Sequence, residues 1–88
     1  MDGFNNSNRL KIIRNKAGLS QRELSEKSEV SLTVIQKYEQ GEKNIDNARL
    51  ETLVNLAMAL GCGVQSLLNS DELAGKFVFC QYLQYLRG

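Results

Sequence analysis

The 88-residue chain has no proline and no histidine, and only two cysteines, Cys62 and Cys80. Each shortage excludes something. Without histidine, the commonest general base and the commonest metal ligand are missing. Cys62 and Cys80 do not form a Cys-x-x-Cys pair, so no metal site is expected. The first residues, Met1–Asn8, are polar and carry no apolar core of the signal-peptide kind. Both thiols are therefore expected to be reduced, in the cytoplasm, and to serve as small buried apolar groups. No apolar run approaches the roughly 20 residues that a bilayer requires, so no membrane partner is expected. There is no Gly-rich phosphate loop and no nucleophile beside a base. These absences argue against an enzyme, a cofactor or a small-molecule ligand.

The net charge of +1 says nothing for nucleic acid by itself. Its distribution says more. Arg9, Lys11, Arg14, Lys16 and Arg22 follow one another with no acid between them, whereas beyond Leu50 the balance is slightly acidic. A solvated helix face is the plainer explanation of such a cluster, and a nucleic-acid surface the sharper one. A domain of this size buries only about 60–65% of its unfolded surface. With disulfides and metal set aside, oligomerisation is the remaining source of extra core.

With no proline, repeat or low-complexity stretch, glycines and polar caps divide the chain. Leu10, Ile13 and Ala17 give one apolar face to a first helix from about Asn8, which Gly18 ends as a left-handed cap. Ser20-Gln21-Arg22-Glu23 has the capping-box pattern and opens a two-turn helix running to about Ser28. Ser31 is read as the N-cap of a third helix, Leu32 to about Gln40, which buries Val34 or Ile35 together with Tyr38 and stops at Gly41. After a polar loop, Leu50, Leu53, Leu56, Ala57 and Leu60 mark a fourth helix from about Asn47 to Leu60, ended by Gly61. A short fifth helix is expected over Val64 to Asn69. Beyond Ser70, Phe79, Tyr82, Leu83 and Leu86 recur at helical spacing from about Asp71 to Arg87, although Phe77–Cys80 alone could be a strand.

Two short helices joined by a tight turn, the second polar on its outer face, make a DNA-reading unit. The first crosses the phosphate backbone and fixes the height of the second, whose side chains then reach base edges in the major groove. The spacing of Gln21-x-x-Leu24-Ser25, Glu29-Val30-Ser31 and Ile35-x-x-Tyr38-Glu39-x-Gly41 suits this geometry. With Gly18–Leu24, Ile35–Gly41 and Leu53–Gly61 followed by Leu67-Leu68, the chain from about Asn8 to Asn69 resembles the phage repressor and Cro-like helix-turn-helix family.

That resemblance implies an all-α, five-helix bundle that binds operator DNA as a homodimer. It implies that Gln21 bonds a phosphate and braces the start of the third helix, and that Ser31 leaves helix N–H groups facing a phosphate. Leu32, Thr33, Gln36 and Lys37 take the base-facing positions: Gln36 suits adenine, Lys37 guanine, and Leu32 and Thr33 thymine methyls, with phosphate contacts open to Gln36 and Lys37. Lys43, Asn44 and Asn47 take phosphates on the far side. Arg14 and Glu39 pair with each other to hold the first helix against the third. Two positions depart from the family: Glu29 stands where the turn usually has glycine, and Ser25 where it usually has alanine.

Three regions are thus expected: a disordered tail at 1–7, the DNA-binding domain at 8–69, and a C-terminal extension at 70–88. The extension either folds back on the bundle or dimerises through Phe77, Phe79, Tyr82, Leu83 and Leu86, and dimerisation is the reading preferred. The function expected is a sequence-specific transcriptional regulator, a repressor. The alternative is a protein-interaction module, an antirepressor or adaptor, on the same fold.

Overall fold

The computed structural model describes residues 8–87, so the tail at 1–7 that was expected to be disordered lies outside the described residues. The helices are α1 (Arg9–Lys16), α2 (Gln21–Ser28), α3 (Leu32–Gln40), α4 (Leu50–Leu60) and α5 (Asp71–Arg87), with 3-10 turns at Ile45–Asn47 and Val64–Ser66. Among the described residues there is no strand. The architecture is all-α with a helix-turn-helix at α2 and α3, and Phe77–Cys80 belongs to a helix. No helix of the described residues is long and apolar enough to cross a membrane.

Local chemistry sets the first boundaries. The Asn8 side chain accepts from the Lys11 N–H at 3.2 Å and caps α1, and Gly18 turns the chain out of that helix at φ 75°. At α2 both halves of the capping box are formed: the Glu23 N–H donates to Ser20 Oγ at 3.0 Å, and the Ser20 N–H donates to Glu23 Oε1 at 2.8 Å. Two of the N–H groups that a helix start would leave unpaired are thereby satisfied.

The core collects one face from each short helix. Leu10, Leu24, Ile35, Leu56 and Leu67 are fully buried, and Val30, Tyr38, Ile45, Leu53, Ala57 and Leu68 complete the cluster. None of these helices would persist alone at 8 to 11 residues, so their stability comes from this packing. Emptying one site, as in Leu24→Ala, costs about 2–5 kcal/mol.

Five expectations need correction. Of the two thiols expected to be buried, Cys80 is exposed on α5 and Cys62 is only half-buried. The fourth helix begins at Leu50, because Ile45–Asn47 forms a 3-10 turn and Ala48 and Arg49 are extended. Leu50, expected in its buried stripe, is therefore 62% exposed. The fifth helix expected over Val64 to Asn69 is a single 3-10 turn. The chain leaves helical geometry there because the N–H groups of Asn69 and Ser70 donate to the Asp46 carboxylate, at 2.6 and 3.0 Å. Ala17, expected on the buried face of α1, is exposed at its C-cap.

Candidate nucleic-acid interface

The turn between α2 and α3 shows how a chain without the usual glycine makes it. Glu29 adopts the left-handed conformation itself, at φ 63° and ψ 20°, the one non-glycine among the described residues to do so. That conformation costs a side-chain-bearing residue about 1–2 kcal/mol. Two serine hydroxyls offset it. Ser25 Oγ donates to the Val30 carbonyl at 2.7 Å, and the Val30 N–H donates to the buried Ser28 Oγ at 3.2 Å. Ser25 is therefore more than a small residue that fits where the helices touch.

Behind the turn, a polar cluster fixes α3 from the inside. Arg14 donates to both Glu39 oxygens, from Nε at 2.7 Å and from Nη2 at 3.0 Å, and its Nη1 donates to the Leu19 carbonyl at 2.8 Å. The Gln21 amide donates to Glu39 Oε1 at 2.9 Å. Asn8 Nδ2 donates to the carbonyls of Tyr38 and Glu39. Three side chains, from α1, its N-cap and α2, thus converge on the last turn of α3. The brace from Gln21 goes to this end and not to the start of the helix, which corrects the expectation, because Glu39 presents its carboxylate there. Asn8 was not foreseen; its only sequence signal was its place ahead of α1.

The outer face of α3 is what these braces hold in place. Ile35 and Tyr38 point inward, while Thr33 is exposed and Gln36 and Lys37 are half-buried on the other side. Leu32 is half-buried at the start of the helix. Ser31 occupies the N-cap position, but its hydroxyl makes no capping bond, which departs from expectation and leaves the first turn without a side-chain cap. A polar groove of about 450 Å³ brings Ser31, Lys43 and Asn47 together with Arg49, with the carboxylates of Glu29 and Glu51 also on its wall. Asn44 joins Lys43 and Asn47 in an adjacent recess, and its Oδ1 accepts from the Asp46 N–H at 3.0 Å. Gln21, Leu32, Thr33, Gln36 and Lys37 do not line that groove. Arg49, at the N-cap of α4, is a cation that the motif reading passed over, because it follows the loop at no fixed motif position.

The basic cluster seen in the sequence does not survive as one surface. Arg14 is buried on Glu39, Arg9 pairs with Asp71 at the start of α5, and Arg22 lies 3.7 Å from Glu26. Among the described residues, Lys11 and Lys16 make no ion pair. Burial pushes the Tyr38 hydroxyl above its ordinary pKa of 10.0, and likewise the Cys62 thiol above 9.0, so both stay neutral near pH 7.

The residues assigned to dimerisation divide between two faces of α5. Phe77 departs from the expectation: it is half-buried and packs with Ala74 against the domain's own core. Phe79, Tyr82, Leu83 and Leu86 are exposed. The reason is helical phase, since two residues rotate the side chain by about 200°.

Short bracing helices, a closed turn and an outward face on the second helix form a scaffold that presents the side chains of α3 away from the core. Comparison with curated proteins and with solved structures gives no match. Residues 10–67, more than half of the chain, match the helix-turn-helix family model. The chain belongs to the helix-turn-helix family and is a DNA-binding transcriptional regulator.

Proposed function

We propose that this regulator is a repressor that reads operator DNA as a homodimer, with α3 in the major groove. The observation that carries the reading is the two-sidedness of α3. Its inner side is fixed by the Arg14–Glu39 pair and by Ile35, while its outer side offers Thr33, Gln36 and Lys37, whose side chains make no hydrogen bond among the described residues. Gln36 and Lys37 contact bases, with Leu32 and Thr33 against thymine methyls. Ser31, Lys43, Asn44 and Asn47 hold phosphates around the polar groove, and Arg49 joins them. Gln21 donates one amide hydrogen to Glu39. Its second remains for a phosphate oxygen.

One short helix reads few base pairs, so two copies on two half-sites about one DNA turn apart give the affinity a repressor needs. Residues 70–88 form the dimerisation segment. Selection of bound duplexes from a random library tests the reading. A two-fold symmetric motif with half-sites about 10 base pairs apart is the expected result, and a protein that enriches no motif overturns it.

A specific observation favours a second reading, a protein-interaction module. The net charge is only +1, and three of the five basic residues between Arg9 and Arg22 are engaged by carboxylates. Salt dependence separates the two. Phosphate contacts release counterions, so DNA affinity falls steeply with salt, whereas an adaptor shows no such slope.

A further inference from the structure

We propose that a second copy of this chain docks antiparallel along the outward face of α5, with Leu83 of each copy seated over Gly75 of the other. The proposal supplies the contact for the homodimeric reading above and rests on it for its role, but its evidence lies in α5 itself.

The apolar surface of α5 changes sides along its length. At the start, Ala74 and Phe77 pack against the core. Continuing along that face at i+4 and i+7 from Phe77 gives Gln81 and Gln84, which are polar and exposed. A distal half built to fold back on its own bundle would be apolar there. Instead Phe79, Tyr82, Leu83 and Leu86 recur at i, i+3, i+4 and i+7 on the opposite face, between 44 and 60% exposed. Such a stripe offers roughly 400–500 Å² of apolar surface per copy. That matches the largest patch a monomer of ordinary kind carries, on a chain whose whole surface is 5930 Å².

Gly75 lies on the same face, four residues before Phe79. A glycine inside a helix weakens it relative to alanine. This one needs no unusual backbone, because it has no positive φ, and a Cβ added to it would meet nothing within 4 Å. Nothing among the described residues calls for the missing side chain. A helix crossing close above it does.

An antiparallel pair centred on Phe79 gives the middle of the stripe fitting neighbours. Leu83 falls over Gly75, Phe79 meets Phe79, and Lys76, which lies 3.5 Å from Glu72 of its own helix, comes to the ring of Tyr82, where its ammonium gains a cation–π contact. At the ends Leu86 packs on the methylenes of Glu72, whose carboxylate stays in solvent, beside Leu73 on the rim of an apolar groove of about 390 Å³ shared with Leu50 and Leu53. A parallel pair would stack Gly75 on Gly75 and leave a void. The two stripes offer about 900 Å² between them, so the flanking surface of Glu72, Lys76 and Val78 must be included to reach the ~1,200 Å² at which stable interfaces begin. An anionic membrane surface fits less well. The sequence of α5 carries Asp71 and Glu72 against Lys76 and Arg87, a balance without the excess of basic residues that interfacial helices have.

The test needs no DNA, so its failure and the failure of the operator reading are separate results. Sedimentation of the full chain at tens of micromolar should give a dimer. Leu83→Glu and Gly75→Leu should each give a monomer with the same helical circular dichroism and a cooperative melt. Both positions are exposed, so neither change disturbs the bundle. Orientation is read by cross-linking in a Cys80→Ser background. A mixture of Gly75→Cys and Leu83→Cys chains should form a covalent dimer on mild oxidation, and either alone should not. A monomeric full chain, a dimer that survives both Leu83→Glu and Gly75→Leu, or cross-linking of either cysteine variant alone overturns the proposal.

Discussion

Arg14 holds Glu39 through two hydrogen bonds of 2.7 and 3.0 Å, and so ties α1 to the last turn of α3 across 25 residues of sequence. Both side chains are nearly removed from solvent, at 10 and 3% exposure. Glu39 also receives Gln21, so removing Arg14 leaves a buried carboxylate with one neutral donor. Breaking a buried pair from one side costs about 3–5 kcal/mol. Arg14→Ala should therefore lower thermal stability by that order, with any loss of DNA affinity at low temperature smaller. Arg14→Lys should restore little, because an ammonium cannot match two carboxylate oxygens and the Leu19 carbonyl together. A melting temperature equal to that of the unsubstituted chain would show that the pair is not structural.

The turn makes its own prediction. Glu29 adopts a left-handed conformation that glycine takes without strain, so Glu29→Gly should raise stability by about 1 kcal/mol. Ser25→Ala removes the hydroxyl that donates to the Val30 carbonyl and should lower stability by about 1 kcal/mol. Chemical denaturation measures both. If the two residues act on the same turn, the double variant should differ from the sum of the single ones.

How much of this was legible in the sequence depended on range. The capping box at Ser20 and Glu23 and the left-handed glycines at Gly18 and Gly41 are local, and the structure places them where the spacing did. The start of α4 was not legible, because Leu50 keeps the apolar period while the backbone before it runs through a 3-10 turn and two extended residues. The division of α5 was hidden for a related reason. Phe77-Val78-Phe79 is continuously apolar, so the pattern cannot tell which ring faces the core. The Asp46 carboxylate under Asn69 and Ser70, and the Asn8 amide under Tyr38 and Glu39, join side chains to distant backbone, which no periodicity records.

Tyr38 and Cys62 predict an alkaline limit to stability. Burial raises both above their ordinary values, 10.0 and 9.0. Each is neutral when protonated, so the fold binds the proton more tightly than the unfolded chain does. The stability this contributes is complete below the ordinary value and is lost as pH rises through the folded one. The melting temperature should accordingly fall above about pH 9, and Tyr38→Phe with Cys62→Ala should flatten that fall. An unchanged profile in the double variant would assign the alkaline limit elsewhere.

The assignment of α3 as the reader is tested by comparing residues in different roles. Gln36 and Lys37 lie on its outer face, whereas Lys43 sits in the polar groove beside Asn47. A side chain bonded to a base edge discriminates among sequences, and one bonded to a phosphate does not. Gln36→Ala and Lys37→Ala should each cost about 1–3 kcal/mol on the selected operator and relax preference at single base positions. Lys43→Ala should weaken operator and scrambled duplex alike and reduce the slope of log affinity against log salt by about one. Fluorescence anisotropy on both duplexes at several salt concentrations separates these outcomes. The circular dichroism of each variant must match the parent, since Lys37 belongs to the helix whose carbonyls meet Gly41, Glu42 and Lys43. If Gln36→Ala and Lys37→Ala left both the affinity and the selected motif unchanged, base reading would have to be moved off α3.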